Sequence, residues 1–381
     1  MQDLKILIVG AGVAGLTCAN LLKQQGLTPE IIEKERRRDF NESGYMLGLL
    51  PLGGRVLTEL DLAGPYFDRS MEMSSYEIHR EDGRLNKAYS LDFINEDYGS
   101  YRGITRQALV ELLSEKLGAA HICFGMTVQE MEQTKEGVQI TFSDGRRKMY
   151  ELVIVADGMH SATRSLLWSE EEYRYRDTGW GGWVGWLDEA PDNVYQEYWG
   201  AASFMGLYPV EDKIGVFLGG PNEEVRELGL AQFAASIRKD IKPTFERLHR
   251  ALDRLAGLDD PYYWEFHDCR TECWQKGRVI LLGDAACGFL PTAGVGASMA
   301  MDSAAALVDE LSRTDREHLE YGLTLFVKRQ QERVEKAQDD SRQLGRLMFV
   351  KSNILAGIRD YAIRFYSIEQ LAKNISQTIA G

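Results

Sequence analysis

The chain has 381 residues, enough for two domains or for one domain carrying a large insertion. A formal net charge of −14 excludes the basic surface that nucleic acid binding requires, and 44% hydrophobic with 27% charged residues excludes a disordered chain. Five cysteines, at 18, 123, 269, 273 and 287, contain no C-x-x-C pair, so neither a disulfide framework nor a metal site is expected.

LKILIVG, at residues 4–10, is an unbroken apolar run of strand length. GAGVAGLTCANLLKQQG, at 10–26, has helical spacing and ends in a glycine, and PEIIEK is a second strand. Together they predict a βαβ unit of a buried parallel sheet. The charge run EKERRRD, at 33–39, reads as a solvated loop, and the stretch from Ser43 to Leu62 as a strand leading into a helix. Alternating residues around the E-D-G turn at 81–83 predict an antiparallel hairpin within 71–98. YRGITRQALVELLSEKLG returns to a helix. The stretch from Lys135 to Gly158 predicts a β-meander that ends in the buried strand LVIVAD. From about 175 to 268 the sequence is rich in Trp and Tyr and reads as a second, mostly antiparallel sheet. GRVILLGD, at 277–284, predicts a third buried strand, and the remainder reads as helical.

Between the first strand and helix stands Gly10-x-Gly12-x-x-Gly15, followed 18 residues after Gly15 by Glu33 at the end of the next strand. Gly10 permits a tight turn, Gly12 lets a pyrophosphate approach the helix N-terminus, Gly15 allows helix against strand, and Glu33 can accept from a ribose hydroxyl. This predicts a dinucleotide cofactor and leaves NAD and FAD both open. Asp284 stands at the C-terminal end of the third strand, where ligands of open α/β sheets lie. The helix that follows, GVGASMAMDSAAALV, has almost no side chains in its first turns, so its free N–H groups and positive dipole can meet an anion.

VIVADGMHSATR (153–164) is similar to the Asp-Gly motif, and GRVILLGDAACGFLPTAGVGASMAMDSAAAL (277–307) to the Gly-Asp motif, of the FAD-dependent aromatic hydroxylases, the 4-hydroxybenzoate hydroxylase-like flavoprotein monooxygenases. The resemblance implies FAD as the bound cofactor. It assigns Gly10, Gly12, Ala14, Gly15, Glu33 and Lys34 to the dinucleotide fingerprint, and implies that Asp284 hydrogen-bonds the ribityl chain. Gly294, Gly296 and Ala297 would approach the flavin pyrimidine edge through backbone N–H groups. Asp157 and Gly158, supported by Arg164, would sit near the pyrophosphate and help admit the nicotinamide donor, and Arg106 would reach the phosphate and ribityl region. Where the family usually has His after GDAA this chain has Cys287, and Ala297-Ser298 replaces the usual Asn or Gly.

The fold class that follows is α/β: a Rossmann-like FAD-binding domain from residues 1–70, 98–175 and 270–345, an inserted, mostly antiparallel substrate-binding sheet from 71–97 and 176–269, and a C-terminal helical segment at 346–381. The resemblance implies a monooxygenase that uses NADH or NADPH and O₂ to hydroxylate or epoxidise an aromatic, lipophilic or other electron-rich small molecule through a flavin C4a-hydroperoxide. Trp180, Trp183, Trp199 and Tyr208 are candidates to line its apolar pocket, with Trp186, Tyr198, Phe204 and Pro291 named as pocket residues. No catalytic side chain is assigned. A halogenase of the same fold is disfavoured because WVGWLDEAP lacks the W-x-W-x-I-P spacing. An FAD-dependent reductase or dehydrogenase and a non-catalytic FAD-binding regulator also compete with the monooxygenase assignment. Residues 346–381 carry five basic and two acidic groups. Their apolar stripe at Leu347, Val350, Ile354, Ile358, Tyr361 and Phe365 is expected to pack on the body, with weak contact to a membrane surface as the sharper hypothesis. The N-terminus lacks signal-peptide features, so the expected location is cytoplasmic, for a monomer or homodimer.

Overall fold

The computed structural model describes residues 3–36, 44–118, 121–259 and 261–365. Part of the charge run at 33–39 and the end of the C-terminal segment lie outside the described residues. In chain order, β1 (Ile6–Val9), α1 (Val13–Gln24) and β2 (Glu30–Glu33) form the opening βαβ unit. Then come β3 (Met46–Leu49), α2 (Pro51–Glu59), α3 (Ala63–Asp68), β4 (Met71–Glu72), the hairpin β5 (Ser75–Arg80) and β6 (Leu85–Ser90), α4 (Asp92–Asp97), β7 (Arg102–Thr105), α5 (Arg106–Leu117) and β8 (Ile122–Phe124). The meander is β9 (Val128–Gln133), β10 (Val138–Phe142) and β11 (Arg147–Tyr150), and it leads into β12 (Leu152–Val155). The aromatic region holds β13 (Tyr173–Leu187), β14 (Val194–Trp199), β15 (Phe204–Pro209), β16 (Ile214–Pro221), α6 (Asn222–Arg238), α7 (Glu246–Ala256) and β17 (Tyr262–Thr271). The chain closes with β18 (Gln275–Lys276), β19 (Val279–Leu281), β20 (Cys287–Gly288), α8 (Gly296–Ser312), α9 (Leu319–Met348) and α10 (Asn353–Ile363).

Three separate stretches build one six-stranded sheet in the order β18-β19-β12-β1-β2-β8. Its strands are parallel apart from the β18–β19 pair. All four residues of β1 and of β12 are buried, in one core with α1, α8 and the meander residues Val138, Ile140 and Phe142, and burial on both faces accounts for the unbroken apolar runs. A second, eight-stranded sheet runs β20-β17-β13-β16-β15-β14-β5-β6 and is antiparallel apart from the β14–β5 pair. On one of its faces Trp183, Leu207, Val216 and Leu218 pack under α6 and α7. On the other, Trp199, Phe204, Phe217 and Phe266 meet Leu290 and Met348.

Two features depart from the sequence reading. The aromatic region is not all strand: α6 and α7 interrupt it, and Leu248, Ala251, Leu252 and Leu255 recur at helical spacing and are buried. The C-terminal stripe does not pack on the body, since Ile354, Ile358, Tyr361 and Phe365 are exposed, at 60% or more. The helix is held instead through Ala356, Arg359 and Ile363, which are buried, and Arg359 donates to the carbonyls of Trp199 (2.6 Å) and Gly200 (3.2 Å) and pairs with Asp360 (2.9 Å).

Candidate active site

A cavity of about 1020 Å³ runs from the C-terminal ends of β1, β2 and β12 to the inner face of the eight-stranded sheet. That is at the upper limit for a pocket holding one small ligand, so it has room for a long cofactor with a second molecule beside it.

Local chain geometry explains the first end. Gly10 has φ +102°, and a Cβ there would lie 2.4 Å from the Ala156 carbonyl oxygen. A Cβ on Gly15 would lie 2.0 Å from the Gly10 carbonyl oxygen, so α1 can reach the end of β1 only with glycine at 15, while Gly10 lets the turn pass the chain after β12. Gly15 therefore serves packing and does not line the cavity, whereas Gly10, Gly12 and Ala14 do. A Cβ on Gly12 or Gly158 would meet nothing within 4 Å, and both residues face the open cavity. Neither α1 nor α8 has a side-chain cap, and both begin on the cavity wall, so two sets of first-turn N–H groups remain for a ligand.

Charged groups are fixed around this end. The buried Glu33 accepts from the N–H of Ala11 (2.8 Å) and of Glu35 (3.0 Å), which orients its carboxylate beside Lys34 at the cavity wall. Asp157 accepts from Thr163 N–H through Oδ2 (3.2 Å), while its buried Oδ1 has no protein partner. Arg164 is fully buried and donates to the carbonyls of Ala285 (2.7 Å) and Met159 (2.9 Å), with its guanidinium 4.2 Å from the Tyr173 ring centre. It thereby ties the Asp157 loop to the Asp284 loop. The accessible surface of Asp284 faces the cavity, and protein packed around it pushes its acid up to about 6. Arg106, the first residue of α5, also lines the cavity, as do Gly294, Gly296 and Ala297. Cys287 is buried on β20, and burial pushes its thiol above the usual range, so it is a packing residue.

These residues fit FAD. The orphaned Asp157 oxygen, the open glycine cradle and the uncapped helix starts all call for a ligand with polar and anionic parts.

The second end is aromatic. Phe204 and Pro291 line it, together with Trp199 and Tyr208. Trp186 and Tyr198 do not. Tyr198 packs on the opposite face of the sheet, because neighbouring strand residues point to opposite sides and it is Tyr195, Glu197 and Trp199 that face the cavity. Trp186 lies at the far end of β13 opposite Gly215, with Lys213 Nζ 4.6 Å from its ring centre. Trp180 and Trp183 are likewise core residues. The sequence reading missed Glu197, Tyr76 and Tyr101, all on the cavity wall. A carboxylate in register with two aromatic residues in VYQEYWG was the available signal.

A parallel sheet with a glycine cradle at its strand ends, opening into an aromatic chamber on a second sheet, defines a dinucleotide-cofactor enzyme. Residues 3–339 match the family model for the FAD binding domain, and the chain belongs to the FAD-dependent aromatic hydroxylase family. A flavin-dependent monooxygenase of an unknown prokaryotic organism is 26% identical over 347 residues, spanning 84% of this chain and 83% of that protein. An FAD-dependent urate hydroxylase of Klebsiella pneumoniae is 28% identical over 316 residues, 80% of each chain. Among solved structures, Klebsiella pneumoniae HpxO complexed with FAD and uric acid aligns with a TM-score of 0.88 at 23% identity, covering 100% of this chain and 98% of its own. 2-Methyl-3-hydroxypyridine-5-carboxylic acid oxygenase aligns at 0.78 and 21%, covering 90% of each chain. The protein is an FAD-dependent monooxygenase, an oxidoreductase.

Proposed function

We propose that the protein hydroxylates or epoxidises an aromatic or other electron-rich small molecule, with NADH or NADPH as transient electron donor and O₂ as the oxygen source. The observation that carries this reading is the continuous cavity that joins the polar, glycine-walled end to the aromatic chamber. Bound FAD supplies the redox chemistry: two electrons from the nicotinamide reduce O₂, one oxygen atom enters the substrate and the other leaves as water. The chain's own task is to hold, orient and keep dry. In this reading Glu33 and Lys34 meet the adenosine ribose end, Gly12 and Ala14 the pyrophosphate, and Asp284 the ribityl hydroxyls. Arg106 reaches the phosphate and ribityl region, and Gly294, Gly296 and Ala297 direct N–H groups at the ring. The donor docks near Asp157 and Gly158. The chamber walls at Trp199, Phe204 and Phe217 exclude water from the reacting atoms.

The division of labour follows the two sheets: residues 1–70, 98–175 and 270–345 hold the cofactor, and 71–97 and 176–269 receive the substrate. No helix among the described residues is long and apolar enough to cross a membrane. We place the enzyme in the reducing cytoplasm as a monomer or homodimer, with the exposed apolar side chains of α10 making weak contact with a membrane surface. The test of the function is to screen aromatic metabolites for acceleration of NAD(P)H oxidation by the purified yellow protein. Substrate-dependent oxidation with stoichiometric hydroxylated product supports the reading. A flavoprotein whose donor oxidation responds to no compound supports a non-catalytic regulator instead.

A further inference from the structure

The aromatic end of the cavity holds a buried carboxylate to which the cofactor assignment gives no role. Glu197, on β14, is 5% exposed and lines the cavity. Its Oε2 accepts from the Tyr76 hydroxyl (2.5 Å) and from Trp199 Nε1 (2.9 Å), and its Oε1 accepts from the Tyr208 hydroxyl (2.8 Å). The three hydrogen bonds favour the ionised form, while burial pushes the acid above the ordinary glutamate value.

Among the described residues, the lysines and arginines of the cavity wall are engaged elsewhere. Lys34 follows Glu33 at the glycine-walled end, Arg106 lies with Asp284 near Tyr45, and Arg226 pairs with Glu265. Arg359, beneath Trp199, directs its guanidinium to backbone carbonyls and Asp360. Tyr76 and Tyr208 also line the cavity, and each commits its hydroxyl proton to Glu197, so what they offer a ligand is lone pairs. Trp199, Phe217 and Trp264 complete the wall.

We propose that Glu197, with Tyr76 and Tyr208, selects the substrate by charge: the chamber takes an aromatic ring that carries a neutral or cationic hydrogen-bond donor, a hydroxyl or an amine, and rejects a carboxylate. A donor N–H or O–H finds acceptors already polarised by a buried anion. A ligand carboxylate would meet lone pairs and a like charge with water excluded, the arrangement that costs most. The inference rests on the monooxygenase reading in one respect, that the molecule occupying this end is the substrate.

The test is a titration of the FAD-loaded protein near neutral pH with three phenols of one ring type: tyramine (cationic), 4-ethylphenol (neutral) and 3-(4-hydroxyphenyl)propionate (anionic), followed by perturbation of the flavin absorption spectrum. The propionate is expected to bind about tenfold or more weakly than the other two. In Glu197→Gln, which keeps the side-chain volume and removes the charge, that ratio is expected to fall below about threefold while FAD content is retained. Tyr208→Phe removes one of the acceptors and leaves the carboxylate in place, so tyramine and 4-ethylphenol should bind more weakly while the propionate stays the weakest, and unchanged binding of all three in this variant overturns the proposal if the glutamine variant does not fold. Equal or tighter binding of the propionate, an unchanged ratio in Glu197→Gln, or no response to any of the three overturns the proposal. Bound FAD with an inverted ratio defeats the charge selection alone. A protein that purifies without FAD defeats the functional reading, and the ratio is then read from intrinsic tryptophan fluorescence.

Discussion

Asp284 and Arg164 carry most of what can be tested one side chain at a time. Asp284 faces the cavity with its acid pushed up to about 6 by burial, against an ordinary 3.8. Ribityl hydroxyls donating to it would favour the ionised form. FAD affinity is therefore expected to be level above about pH 6 and to fall by up to about tenfold per pH unit below it, with the step absent in Asp284→Asn. For the ligand-free fold the sign is opposite. An acid whose folded value is raised binds its proton more tightly when folded, so this group's contribution to stability declines as pH rises from 3.8 to about 6. Asp284→Ala removes a charge-assisted contact, and equilibrium dialysis should show FAD affinity weaker by about 1.5–3 kcal/mol. Arg164→Ala removes a fully buried guanidinium that donates to the carbonyls of Ala285 and Met159 and to the Tyr175 hydroxyl, and urea unfolding should show a loss of about 3 kcal/mol or more. These two residues were legible in the sequence because a strand end and a short motif announce them. Glu197 was not: it is announced only by which face of β14 it shares, and that depends on how the strand sits in the sheet.

At the scale of elements, α1 and α10 show what chain pattern can and cannot tell. The contact between α1 and β1 follows from the G-x-G-x-x-G spacing alone, since the Gly10 carbonyl fills the space where a Gly15 side chain would stand. Gly15→Ala should lift the helix start and cost about 1–3 kcal/mol in thermal or urea unfolding, with FAD affinity falling alongside. The helical spacing of the α10 stripe was equally legible, and only its direction was not. Arg359, bonded to the carbonyls of Trp199 and Gly200, turns its own face inward with Ala356 and Ile363, which leaves Ile354, Ile358, Tyr361 and Phe365 outward. Ile358→Ser is therefore expected to change stability by no more than about 0.5 kcal/mol. Flotation with anionic liposomes checks the proposed membrane contact: the wild type should co-float and Ile358→Ser should do so less, whereas absence of the wild type from the lipid fraction removes the proposal.

For the whole molecule, the controlling feature is that the glycine-walled and aromatic ends belong to one cavity between two sheets, while the described residues contain a single βαβ dinucleotide unit of the β1–α1–β2 kind. The interleaving of three sequence stretches into one parallel sheet was legible from three buried apolar runs. The depth of the shared cavity was not, because it depends on how the two sheets face each other. Under the proposed function, with one such unit assigned to FAD, the nicotinamide donor would dock transiently, and substrate in the aromatic chamber would favour the arrangement in which hydride transfers. A hundredfold gain in reduction rate requires only about 2.7 kcal/mol of preferential binding. Anaerobic stopped-flow reduction should accordingly be faster with substrate than without, and equal rates would point to a reductase-like cycle.

The most direct test of the central claim is mass spectrometry of the product formed by the FAD-loaded protein, NAD(P)H and an accepted aromatic substrate under ¹⁸O₂ in ordinary water. The account predicts one labelled oxygen atom in the organic product for each NAD(P)H consumed. Consumption of NAD(P)H and O₂ that yields only hydrogen peroxide with every substrate, or a product whose new oxygen comes from water, would contradict it.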